Sequence, residues 1–119
     1  MKSFTVIVVA ALVGFTNANH GRMTYYDPSV GAGACGTTHS DSEHVVALDA
    51  TQFKAGGNPN NDPVCGKHIK ISYNGKSTEA LVVDKCPTCA SQAIDVSSST
   101  FKDIADLSVG VVQVDWDFV

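Results

Sequence analysis

Hydrophobic and polar positions alternate with a period of two along most of the chain after residue 18, the mark of strands that bury one face. The strongest instance runs from Lys67 through His-Ile-Lys-Ile-Ser to Tyr73, turns at Asn74-Gly75 and returns from Lys76 to Val83. Asn-Gly supplies the positive φ that both central residues of a type I′ turn need, so a two-residue hairpin is predicted. Pairing Tyr73 with Lys76 sets Ile71 opposite Thr78 and Ile69 opposite Ala80, and continued alternation puts Val82 and Asp84 on the face of the isoleucines. Val112, Val114, Trp116 and Phe118 alternate with Gln113, Asp115 and Asp117, which predicts a C-terminal strand with Trp116 in the core. Between them, Ser97-Ser-Ser-Thr offers capping residues and Phe101, Ile104 and Ala105 share the spacing of one face of a short helix. A second helical turn is expected around Ala50 to Phe53, after a strand from Val45 to Leu48. Lys54 to Pro63, rich in Gly, Asn, Pro and Asp, reads as a surface loop. Short strands, a hairpin and one or two short helices in so short a chain point to a small closed barrel, since closure removes exposed edges.

The segment Met1 to Ala18 breaks the alternation. Lys2, the uncharged and mostly apolar stretch Val6 to Phe15 and the small-residue end Thr16-Asn17-Ala18 read as an export signal, leaving a single domain over residues 19–119. No apolar run is long enough for a membrane span, so a secreted, extracellular, monomeric protein is expected. An oxidising route makes the four cysteines disulfide partners. Four cysteines allow three connectivities; Cys35 with Cys65 and Cys86 with Cys89 is favoured, because the second pair can close a small local loop. Cys86-Pro-Thr-Cys89 also has the spacing of a redox motif, but no helix follows it whose N-terminus could lower a thiol pKa. One close cysteine pair is too few for a four-cysteine zinc site, and the four histidines show no i, i+4 spacing, so neither metal nor cofactor is expected. Without Lys2 the chain has seven basic against twelve acidic side chains and no basic cluster, which disfavours nucleic acid and anionic membrane as partners.

Asp84 and Asp95 end or interrupt apolar, strand-like runs, where a carboxylate is costly unless hydrogen-bonded, paired or used. The residues around them carry a resemblance. Val82-Val-Asp84-Lys-Cys-Pro-Thr-Cys-Ala-Ser-Gln-Ala-Ile-Asp95-Val-Ser, with the Gly-Val-Val-Gln-Val-Asp-Trp strand that follows, looks like the second half of the expansin-like double-psi β-barrel. Gly21-Arg-Met-Thr24-Tyr25-Tyr26-Asp27 and Gly33-Ala-Cys35-Gly resemble its first half. The secreted fungal loosenins are the nearest in character, with rare-lipoprotein-A-like domains and barwin as wider relatives.

The resemblance implies a six-stranded double-psi barrel, mostly β, with a polysaccharide groove across one face. Asp95 takes the place of the aspartate that expansins need for wall loosening and that family-45 endoglucanases use as general acid. Asp84 matches a second groove aspartate, with Lys85 beside it as a further contact. Thr24 matches a groove threonine that hydrogen-bonds the site, and Tyr25 or Tyr26 would offer a ring to sugar. Asp27 resembles the base aspartate of the endoglucanases, although Asp27-Pro28 is equally an ordinary turn opener. Where many relatives carry His-Phe-Asp, this chain has Ala93-Ile94-Asp95, and Cys86 replaces an aromatic found in bacterial expansins. The expectation is therefore a protein that binds cellulose or chitin and loosens it without appreciable hydrolysis. If there were cleavage, Asp95 would be the general acid. Two alternatives are a secreted protease inhibitor or effector acting through the loop Lys54 to Pro63, and a weak glycoside hydrolase or lytic transglycosylase.

Overall fold

A computed structural model describes residues 19–54 and 57–119, so the expected export signal lies outside the described residues. Six strands, β1 (Asn19–Tyr26), β2 (Val45–Asp49), β3 (His68–Tyr73), β4 (Lys76–Cys86), β5 (Ile94–Ser97) and β6 (Val112–Phe118), close into a barrel in the order β1-β5-β2-β4-β3-β6. Two pairs, β1 with β5 and β2 with β4, are parallel; the other four are antiparallel. Among the described residues a single helix, α1 (Ser98–Ile104), follows β5 directly, and single 3-10 turns occupy Pro28–Val30, Ala50–Gln52, Pro59–Asn61 and Leu107–Val109. This is the small closed barrel that the alternation predicted. Among the described residues no helix is long and apolar enough to cross a membrane.

The hairpin forms as expected. Asn74 and Gly75 both have positive φ, and the register pairs Tyr73 with Lys76, Ile71 with Thr78 and Ile69 with Ala80. Ile69, Ile71, Ala80 and Val82 point into the barrel with Met23, Leu48, Val96 and Trp116, all buried. Beyond Val82 the alternation fails. In the parallel pairing with β2, Val46 faces Val82 but Ala47 faces Asp84, so Val83 is an extra residue on β4. Such a bulge turns the following side chain to the other face of the strand. Asp84 therefore leaves the face of the isoleucines, where unbroken alternation would have kept it.

The helix start also differs in detail. Ser97 occupies the N-cap position but makes no capping bond. Its hydroxyl instead lies 2.6 Å from the carbonyl of Glu43 and accepts from Val45 N at 3.3 Å. Asp41, remote in sequence, takes over the cap: it accepts from Ser98 N at 2.9 Å and from the Ser98 hydroxyl. Phe101 and Ile104 then bury the apolar face of α1 against the barrel. The cysteines pair as Cys35–Cys65 and Cys86–Cys89. The first bridge ties the loop after β1 to the one before β3.

A buried carboxylate fixes the remaining loop. Asp49, fully buried at the end of β2, accepts from Thr51 N at 2.9 Å, from the Thr51 hydroxyl, and from Gln92 N at 2.8 Å. Gln92 has a positive φ of 70°; its carbonyl accepts from Trp116 Nε1 at 2.8 Å and its side chain accepts from His20 N at 2.9 Å. One residue thus joins β2, β6 and β1 to the turn that leads into β5. Removing the carboxylate would leave three partly buried donors without their acceptor at once. Asp49→Ala is expected to cost about 2–3 kcal/mol of stability, read as a lower urea midpoint at an unchanged slope. An unchanged midpoint would show that the turn holds itself.

Candidate functional site

The strand registers align four residues across four neighbouring strands. Thr24 on β1 pairs with Asp95 on β5, Asp95 with Ala47 on β2, and Ala47 with Asp84 on β4. Their immediate neighbours Met23, Val46, Leu48, Ile94 and Val96 are core residues, so the row lies on the outer face. Ala47 adds only a methyl group between the two aspartates. Asp84 and Asp95 stand two interstrand spacings apart, roughly 10 Å at the backbone. Tyr26, two residues after Thr24 on the same side of β1, brings its hydroxyl into this row. Burial pushes the phenol well above its ordinary pKa, and the charges of Asp84 and then Asp95 push it further. That hydroxyl is buried and has no hydrogen-bond partner among the described residues.

The two aspartates are held differently. Asp95 accepts from the Thr24 hydroxyl at 2.9 Å. Burial raises its pKa, the Thr24 bond works against that, and the charge of Asp84 adds to the rise. Asp84 Oδ1 accepts from Ala34 N at 2.7 Å and Lys85 N at 2.8 Å. The loop reaches it so closely that a Cβ on Gly33 would sit 2.6 Å from the Val83 carbonyl and 2.9 Å from Asp84 Cγ. Only glycine permits that approach.

Three of the sequence candidates lie away from the row. Tyr25 points to the opposite side of β1 from Thr24 and Tyr26; its ring meets Phe101 at 4.9 Å between centroids and its hydroxyl donates to the Leu107 carbonyl at 3.1 Å. Tyr25 and Tyr26, both candidates for a sugar-facing ring in the sequence, are placed on opposite sides of β1 by the alternation. Lys85 likewise faces away from Asp84, with Nζ 5.5 Å from the Phe53 ring centroid. Asp27 caps the 3-10 turn Pro28–Val30, accepting from Ser29 N at 3.0 Å and the Ser29 hydroxyl at 2.6 Å, and those two bonds hold its pKa below the usual carboxylate value. It serves the turn that the Asp-Pro sequence offered as its alternative role.

Sequence reasoning missed two features. Asp49 was passed over, although Asp-x-Thr is the spacing of a carboxylate that accepts from the backbone two residues on. A cleft of about 170 Å³ beside Thr24, lined by Arg22, Thr88, Cys89, Ala90, Ala93 and Ile94, had no sequence signal, since it forms between β1 and the turn before β5. Among the described residues no cluster of three His, Cys, Asp or Glu side chains could hold a metal.

No protein-family profile matches the chain. It is 44% identical over 102 residues to a papain inhibitor of Streptomyces mobaraensis, a match that covers 83% of this chain and 70% of the inhibitor. It is 39% identical over 103 residues to an allergen of Aspergillus fumigatus, spanning 82% of this chain but only 36% of the allergen. The solved Streptomyces papain inhibitor superposes with a TM-score of 0.80 at 42% identity, over 88% of this chain and 96% of that one. An expansin of Clavibacter michiganensis in complex with cellohexaose superposes with a TM-score of 0.72 at 20% identity, over 85% of this chain and 50% of that one.

The raised pKa of Asp95 has a consequence for stability. The native state keeps the proton to a higher pH than the unfolded chain, so stability falls as pH rises from the ordinary carboxylate value through the folded one. Asp95→Asn, which keeps an acceptor for Thr24, should therefore raise Tm at pH 7 and lose that advantage below about pH 4. The gain should stay within about 1 kcal/mol, because the carboxyl is partly exposed and solvent screens it. Thermal unfolding of both proteins across pH checks the sign; a lower Tm for the variant at pH 7 would refute it.

Proposed function

Because the chain belongs to the expansin-like family of double-psi β-barrels that includes the Streptomyces papain inhibitor, we propose that it acts outside the cell on wall polysaccharide. In this reading it binds cellulose or chitin along the outer row of β1, β5, β2 and β4 and loosens the glycan without hydrolysing it. The observation that carries the proposal is the alignment of Thr24, Asp95 and Asp84 along the outer face. Hydroxyls of a glycan laid on the row would donate to the two aspartates. Each such contact replaces one that glycan chains make with each other, which is the chemistry of loosening. The two disulfides and the leader-like first eighteen residues support an extracellular site of action.

Hydrolysis by inversion needs a second carboxylate free to activate water, roughly 6.5–9.5 Å from the acid. Asp95, with its raised pKa, is suited to be the acid. Asp27 is engaged by Ser29, and Asp84 Oδ1 already accepts two backbone N–H groups. That arrangement favours binding over bond cleavage.

The 44% identity to a papain inhibitor supports a second reading, inhibition of cysteine proteases through surface loops. The candidate loop before β3 is braced by Asp62, which accepts from Lys54 N at 2.7 Å and Val64 N at 3.0 Å. The two readings separate on one set of proteins. Asp95→Asn should weaken retention on insoluble cellulose or chitin by about tenfold, the worth of one charge-assisted hydrogen bond, while the parent releases no reducing sugar. Papain inhibition by the parent, unchanged in Asp95→Asn and without retention on either polysaccharide, would replace the first reading with the second.

A further inference from the structure

The cleft beside Thr24 has a composition that the row itself lacks. Its lips are polar: Arg22 and Thr24 on β1, and Thr88 in the loop closed by the Cys86–Cys89 bridge. The rest of its lining is mainly apolar, with exposed Ala90 and buried Ala93 offering no more than methyl groups. Arg22 is the only arginine of the chain, it is exposed, and among the described residues it forms no ion pair. It lies two residues from Thr24 on the same side of β1, about 6.7 Å along the strand, so the cleft continues the row of carboxyls rather than forming a separate site.

The walls are fixed before anything binds. The Cys86–Cys89 bridge and the Cys89 N to Cys86 carbonyl bond at 3.2 Å close the loop that carries Thr88. Ala93 N donates to the Ala90 carbonyl at 3.0 Å, and Gln92 between them is anchored by Asp49, His20 N and Trp116 Nε1. A preformed cavity binds without an ordering cost, and its shape can discriminate between ligands.

We propose that this cleft receives the acetamido group of an N-acetylhexosamine, so that the ligand of the row is an N-acetylated wall glycan rather than cellulose. The inference rests on the glycan-binding reading above and specifies its substrate. The match is one of functional groups. The acetamido methyl meets Ala90 and Ala93, its carbonyl accepts from the Arg22 guanidinium or the Thr88 hydroxyl, and its N–H donates to Thr24 Oγ1. That oxygen already donates its own proton to Asp95 and keeps a lone pair free. The 2-hydroxyl of a glucose residue has neither the methyl for the apolar lining nor the carbonyl for the lips. A sugar carboxylate would pair with Arg22 but would bring a negative charge next to Asp95 and Asp84 on an already acidic protein.

Titration of the intact barrel with chitohexaose and with cellohexaose, followed by calorimetry, tests this. Chitohexaose should bind about tenfold more tightly, the lower end of what a methyl-sized group in an apolar pocket discriminates. Ala90→Leu, at an exposed position and filling the cleft, should abolish the preference while leaving the cellohexaose dissociation constant within about twofold. Arg22→Ala should reduce the preference without changing the Tm. Equal affinity for the two hexamers, or a preference that survives both substitutions, overturns the acetamido assignment and leaves the glycan-binding row intact. Tighter binding of a glucuronate-containing oligosaccharide than of chitohexaose overturns it in favour of a carboxylate on Arg22. Absence of binding to any of these sugars removes the glycan-binding reading itself, and this inference with it.

Discussion

A single extra residue in β4 determines the face on which Asp84 emerges. Val46 pairs with Val82, but one step later Ala47 pairs with Asp84, and Val83 is displaced from the ladder. Without that bulge Asp84 would follow Ala80 and Val82 into the barrel, where a carboxylate has no water and no partner. With it, Asp84 falls into line with Ala47, Asp95 and Thr24. The loop from Gly33 to Cys35 then seals the displaced segment: Cys35 N donates to the Val83 carbonyl at 3.1 Å and Ala34 N to Asp84. The Cys35–Cys65 bridge ties that loop to the segment before β3, where Gly66 N donates to the Val82 carbonyl at 3.1 Å. Barrel closure, disulfide and site geometry therefore meet at one irregularity.

The second support of the site is Asp49, which touches none of the candidate ligand-binding groups. By holding Gln92 N it fixes a left-handed residue just before β5, and the Gln92 carbonyl in turn satisfies the indole of Trp116 in the core. The position of Asp95 along β5 thus depends on a carboxylate at the end of β2 and an indole on β6. Buried polar groups satisfied in this manner specify one arrangement of neighbouring loops, because any shift leaves several donors unpaired together.

What the sequence made legible and what it concealed divide along a physical line. The Asn74-Gly75 turn fixes the register of β3 and β4 by local geometry, and the alternation around Trp116 and Ile71 reports burial directly; both were readable. The separation of Tyr25 from Tyr26 was readable in principle, since Met23 marks the buried side of β1 and Tyr25 shares it. The bulge at Val83 was not, because it arises from parallel pairing with β2, some thirty-five residues away. Asp41 capping α1 from outside, in place of Ser97, is equally a product of tertiary approach. The motifs singled out Asp84 and Asp95, which the registers bring into one row, but period and spacing alone could not orient that row.

Electrostatics on the outer face point to what the row can do. Asp84 is fixed by two backbone N–H groups, and its charge helps both Asp95 and Tyr26 to keep their protons. The face therefore combines one anchored carboxylate with a second carboxyl, Asp95, and a phenol, Tyr26, whose pKa values are raised by burial and then by that charge. Such a surface suits a neutral ligand with many hydroxyl and ether oxygens, which can donate to Asp84 and accept from its neighbours. General-base catalysis would have to use Asp84 Oδ2 alone, since Oδ1 already accepts from Ala34 N and Lys85 N. With Oδ1 held by Ala34 N and Lys85 N, Asp84 is a fixed point at one end of the row that runs past Asp95 to Thr24, with Arg22 two residues before Thr24 on β1.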